Sequence, residues 1–203
     1  MTKMIASIRR LLTPLLYLRI SREDKYFDEI ALPLVLLVLS FITMYLIDWK
    51  VTVFGKDGIL SAVGGYLQIV SGFYIASLAA IATFNQASMD LPMKGDAPTL
   101  EHKRKGVAGT ETLTRRRFLS FLFGYLSFIS ILLFFSGIAA NVVAPHVYTV
   151  AGQYAAYIKW VFCAIYMFII YNMLCTTLLG LYYMTERIHR PEAKFVEPDD
   201  TNK

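Results

Sequence analysis

Charge is what this chain most lacks. Only 17% of its 203 residues are Asp, Glu, Lys or Arg, against about 25% in soluble domains. Four long stretches, 30–47, 58–89, 118–158 and 160–185, contain none of these residues. Proton relays and voltage sensors need ionisable groups within the membrane-spanning part of a helix. The cores of the predicted helices hold none, which argues against both. Cysteine is equally sparse. Cys163 and Cys175 both fall in the fourth stretch, so neither a disulfide framework nor a thiolate metal site is expected. The three histidines, His102, His146 and His189, fall in three separate polar segments. Two belong to one predicted face and one to the other, so they cannot share a site. No Ser or Thr stands beside a base and an orienting acid at a recognisable spacing. The sequence therefore predicts a protein that is not an enzyme and has no cofactor or metal. Nor is a cleaved signal peptide expected, because Pro14 interrupts the apolar run 11–18 and no small-residue cleavage site follows.

What is present is apolar length. A membrane-spanning helix needs about 20 mostly apolar residues, and each uncharged stretch can hold one. The expected fold class is all-α, an integral membrane four-helix transmembrane bundle with helices at about 30–47, 60–84, 114–140 and 159–184. If the helices thread a bilayer in turn, 17 of the 20 Lys and Arg lie on one face, and only Lys50, Lys56 and Lys159 lie on the other. The positive-inside rule then places both termini in the cytoplasm. It also accounts for the net charge of +5 without nucleic-acid binding. Membrane lipid is the expected surrounding. The domain plan is an N-terminal segment 1–29, a membrane domain 30–184 with a cytoplasmic loop 85–117, and a cytoplasmic tail 185–203.

Within that plan, Ile5, Ile8, Leu12 and Leu15 recur at helical spacing among Arg9, Arg10 and Arg19. This suits either an amphipathic helix in the headgroup layer or a simple flank of the first span. Pro14 allows at most a kinked or two-part helix. The mixed charges Arg22, Glu23, Asp24, Lys25, Asp28 and Glu29 read as a solvated surface. Pro33 fits the first turn of its helix, where the missing N–H does no harm. Trp49 and Trp160 are placed as interfacial anchors, and Arg115, Arg116 and Arg117 as inner anchors that snorkel to headgroups. In the second helix Ser61, Gly65, Gln68, Gly72, Ala76, Ala80 and Thr83 fall along one face. Gly72, Ala76 and Ala80 form a small-xxx-small ladder that admits another helix. Asn172, Thr176 and Gly180 share a face of the fourth helix. These residues pack helices within the bundle, join copies of the chain, or line a path. In the loop a short helix is expected at about 99–105. His102, Lys103, Arg104 and Lys105 there are the candidate contact for a cytosolic partner, since long loops in compact domains are often functional.

The stretches 71–90 (SGFYIASLAAIATFNQASMD) and 113–128 (LTRRRFLSFLFGYLSF) flank this loop. Together with the four-span layout and the short basic N-terminal segment, they resemble the membrane subunit of the Kiwa antiphage defence system. The resemblance implies a bacterial inner-membrane sensor that forms homo-oligomers, as tetramers, and pairs with a cytosolic DNA-binding effector protein. The expected function is thus a non-enzymatic sensor or scaffold subunit of a defence complex, with no direct nucleic-acid binding of its own. The alternative is a pore-forming or membrane-depolarising effector built by oligomerisation. A transporter is the weakest reading, since the two halves show no inverted repeat.

Overall fold

Pro14 splits the N-terminal segment in two. In the computed structural model, which describes residues 2–83, 87–92, 97–104 and 107–187, helix α1 (Thr2–Leu11) ends before the proline. A 3-10 helix, Thr13–Arg19, begins with it, as suits a residue without an N–H. The short strand β1 (Ile20–Ser21) follows. Lys25 then folds back, its Nζ donating to the carbonyls of Leu18 at 2.6 Å and Ile20 at 2.7 Å.

Helix α2 (Leu32–Leu46) is preceded by a π-helical turn, Phe27–Ala31. The helical run therefore starts upstream of the predicted first turn, and Pro33 lies inside it. Its missing N–H now has a consequence. Glu29, four residues back, loses its helical donor, and the side-chain amide of Asn172 supplies one at 2.7 Å. At the other end, Asp48 N–H bonds Tyr45 O at 3.1 Å and Trp49 N–H bonds Met44 O at 2.9 Å. This is a Schellman-type stop with Asp48 at φ 54° and Trp49 at φ 56°.

Helix α3 (Ile59–Thr83) follows a tight turn at Gly58, where a Cβ would sit 2.5 Å from the Val53 carbonyl oxygen. Leu60, Leu67, Tyr74 and Ile81, seven residues apart, form its buried line, as expected for a helix running along a neighbour. The chain then departs from the expected short helix. Residues Thr99–Arg104 form strand β2, which pairs antiparallel with β3 (Val107–Thr112) and, at Leu100 and Thr99, with β1. Several Thr and Val residues favour strand, and the two strands bury Leu100 between the N-terminal segment and the loop. The sheet order is β1-β2-β3.

Thr114 caps helix α4 (Arg115–Ala151), its side chain accepting from Arg117 N–H at 3.4 Å. The helix passes through Pro145 and runs 37 residues, well beyond the predicted end near residue 140. Around the proline only Ala144 is buried, while Val142, Val143, Pro145 and His146 are exposed. Gly152, at φ 49°, turns the chain, and helix α5 (Ala155–Tyr182) returns. Helix α3 packs on α4, α4 on α5, and α5 on α2. The described chain is mostly helical, in agreement with the all-α expectation, with the small sheet as an addition. Three helical stretches are long and apolar enough to cross a membrane: Phe27–Leu46, Ile59–Thr83 and Arg115–Thr185, the last holding both α4 and α5.

Candidate functional site

One end of the helical body gathers the start of α2, the end of α3, the start of α4, the end of α5 and the sheet. It carries most of the basic residues and is called the basic end below. There Arg22, Lys25, Asp28 and Glu29, expected to form part of a solvated surface, gather in a polar cluster around a buried carboxylate instead, while Glu23 and Asp24 are exposed as expected. Glu29 is 6% exposed and Tyr17 1%. The Tyr17 hydroxyl donates to Glu29 Oε1 at 2.8 Å, and Arg22 reaches the same oxygen at 3.3 Å. Arg22 also pairs with Asp28 at 3.2 Å, and Lys25 stands 4.0 Å from Glu29 Oε2. Burial first, and the Glu29 carboxylate second, push the Tyr17 phenol far above its ordinary value, so it remains a donor. Burial holds the Lys25 ammonium below the usual lysine value.

The cluster joins four elements. Tyr17, from the 3-10 helix, stacks on Tyr125 of α4 with ring centroids 5.0 Å apart. The Tyr125 hydroxyl donates to Asn172 Oδ1 of α5 at 3.0 Å, and Asn172 Nδ2 donates to the Glu29 carbonyl ahead of α2. One side-chain amide thus bridges α4 and α2 from α5. Asn172 stood out in the sequence. Tyr17, Arg22, Glu29 and Tyr125 did not, although the Lys25–Glu29 spacing suits an ion pair with that carboxylate, and a proline four residues after Glu29 leaves its backbone carbonyl without a helical donor.

The inner-anchor arginines find protein partners. Arg116 Nε bonds Asp90 Oδ1 at 2.7 Å, and its Nη1 bonds the Ile81 carbonyl near the end of α3 at 2.9 Å. Arg117 pairs with Glu111 of β3 and lies over the Phe121 ring. Arg115 is 5% exposed. At the far end Trp49 and Trp160 meet, with centroids 4.6 Å apart, and both contact Phe41. Lys159 sits over the Trp160 ring at 4.5 Å.

The small-residue face of α3 is open, with Gly65 and Gln68 bordering a groove beside Phe134, Gly137 and Asn141 of α4. Gly65, Gln68, Gly72, Ala76 and Ala80 are all exposed, and a Cβ added at Gly65 or Gly72 would meet nothing within 4 Å. These residues do not close the bundle. The ties to neighbouring helices come from the opposite face: Ser71 to Ser130 at 2.9 Å, and Tyr74 to Thr177 at 2.6 Å. On α5, Asn172, Thr176 and Gly180 do turn inward. Thr176 is 1% exposed, and a Cβ at Gly180 would press on Leu122 at 2.9 Å. Of the loop residues, His102, Lys103 and Arg104 lie on β2, and Lys105 lies outside the described residues.

The chain matches no protein-family model, no curated protein and no solved structure. Chemistry must therefore be read from the residues. Every charged member of the buried cluster already has a protein partner, an arrangement that fastens elements together. Among the described residues no group of three His, Cys, Asp or Glu is placed to hold a metal.

Proposed function

We propose that this chain is a non-enzymatic membrane scaffold, spanning the bilayer with α2, α3, α4 and α5 as a four-helix unit, both termini in the cytoplasm, that recruits a cytosolic protein. The observation that carries this reading is the sheet at the basic end. Strand β1 comes from the N-terminal segment and β2 and β3 from the long connection, so the two polar segments form one folded module. Among the described residues β3 has no further strand beside it, and an open edge is a ready template for an added strand. The charge asymmetry supports a cytoplasmic position for this module. The resemblance to the Kiwa membrane subunit supports a bacterial inner-membrane setting, a homo-oligomer, and a DNA-binding effector as the recruited partner.

The test is affinity purification of the full chain in detergent from cells co-expressing its neighbouring genes, with residues 99–112 intact or replaced by a Gly/Ser linker. A partner retained by the intact chain and lost from the linker variant is expected. Equal capture by both refutes the docking role of the sheet. Plaque yield with and without the gene checks the defence role, and a lower yield is expected when it is present.

A second reading has its own observation. The exposed α3 face with Gln68 suits a lining built from several copies of the chain. It predicts membrane depolarisation on expression that Gln68→Leu reduces, and unchanged depolarisation counts against that lining.

A further inference from the structure

Helix α1 is strongly amphipathic, yet the apolar side chains it presents are not covered by the protein. Met4, Ile5, Leu11 and, one residue past the helix end, Leu12 each lie three or four residues from Ile8, which lines them on one side of a helix. They are 63%, 59%, 48%, 70% and 45% exposed. Ala6 and Arg10 project from the opposite side, two residues from Ile8 in either direction. Five basic residues, Lys3, Arg9, Arg10, Arg19 and Arg22, precede the first acid, Glu23. The local charge is therefore of one sign where the apolar face is open.

The attachment of α1 fixes its level. Pro14 breaks the helix, and the next turn seats Tyr17 on Tyr125 and against Glu29, at the start of the first span, Phe27–Leu46. An uncovered apolar face with a basic surround, tethered where a span begins, matches one occupant by both shape and charge: the headgroup layer of an anionic membrane. A soluble acidic protein would satisfy the arginines but leave the apolar stripe beside the bilayer unexplained.

We infer that α1 lies in the plane of the membrane with Met4, Ile5, Ile8 and Leu11 among the acyl chains, held there by anionic lipid, and that the Tyr17–Glu29 contact connects this lipid-bound helix to α2. The inference rests on the cytoplasmic placement of the basic end given above and adds its ligand, the anionic leaflet. A change in the anionic lipid under the protein then alters the seat of α1.

The test uses the full chain in nanodiscs of phosphatidylcholine alone or mixed with phosphatidylglycerol. Ile8→Cys and Ala6→Cys variants are labelled with a water-soluble maleimide. The two native cysteines are buried, and the unsubstituted chain sets the background. Ile8→Cys is expected to label at least about fivefold more slowly on the anionic discs, the effect of roughly one basic residue at an anionic surface. Ala6→Cys is expected to label quickly on both, and adding Arg9→Gln with Arg10→Gln is expected to abolish the difference at Ile8→Cys. Equal rates at Ile8→Cys on the two lipids overturn the inference. So does equal protection of both positions, which would mean that protein covers α1. Partner capture is scored on the same preparations. Lost lipid dependence with capture retained overturns this inference alone, whereas lipid dependence with capture lost supports it and overturns the recruitment reading.

Discussion

Glu29 shows how one side chain gains weight from its neighbours. A carboxylate that is 6% exposed is costly unless paired, and removing one partner of a buried pair leaves the other uncompensated. Arg22→Met is therefore expected to destabilise the protein by about 3 kcal/mol. Replacing both with Arg22→Met and Glu29→Met is expected to recover only part of that loss, because it removes the uncompensated Glu29 carboxylate but leaves Asp28 without Arg22 and the buried Tyr17 hydroxyl without its acceptor. Thermal unfolding in detergent of the two single variants and the double variant measures this, and a double variant no better than either single variant contradicts it. Asp48 offers the opposite case. It holds φ 54°, in the region that disfavours side chains, at a position where helices commonly use glycine. Asp48→Gly is expected to raise stability by about 1 kcal/mol, read by the same measurement. Neither residue stood out in the sequence: Glu29 appeared as one of six mixed charges, and nothing short of backbone geometry marks Asp48.

At the scale of elements, legibility followed the range of the interactions. The apolar stretches were visible because burial in a span depends on composition over about 20 residues, and the start of the third predicted helix at about 114 falls on the residue that caps α4. The β2–β3 hairpin was missed because its strand form depends on pairing and on Leu100 packing into the core, while 99–105 alone suits a short helix equally well. The Asn172 bridge to the Glu29 carbonyl crosses 143 residues of sequence, beyond the reach of any periodicity. Asn172→Leu removes that donor and is expected to cost about 1–3 kcal/mol. Gln68→Leu, on the exposed face of α3, is expected to leave stability of the single chain nearly unchanged. The contact holding the end of α3 should also respond to acid. The hydrogen bond from Arg116 holds Asp90 below its ordinary value of 3.8. A folded value lower than the unfolded one means that the contribution is complete above about pH 3.8 and is lost as pH falls through the folded value. The midpoint difference between wild type and Asp90→Asn is expected to hold at neutral pH and shrink below that point. A constant difference would remove the ion pair as its source.

For the whole molecule, the helices run in a row, α3 beside α4, α4 beside α5, and α5 beside α2. The outer members keep broad apolar faces free, such as Val35, Val38, Leu39 and Ile42 on α2, which suits a lipid surround. The meeting of Trp49 with Trp160 puts the end of α2 and the start of α5 at one level, as alternating spans require. At 1.5 Å per residue, the 37 residues of α4 extend about 55 Å, against a hydrocarbon core of about 30 Å. On the proposed orientation, with Arg115 at the inner interface, the α4–α5 tip would stand clear of the bilayer on the other side. Gln153→Cys in intact cells is then expected to react with an impermeant maleimide added outside, and protection there would contradict the proposed orientation. Such a tip has a mechanical consequence. On the proposed orientation, a load on the turn near Gly152 would pass along α4, through the missing hydrogen bond at Pro145, to Tyr125, the ring that stacks on Tyr17. On that orientation, α4 joins a turn on one side of the membrane to the residue that seats the N-terminal arm on the other.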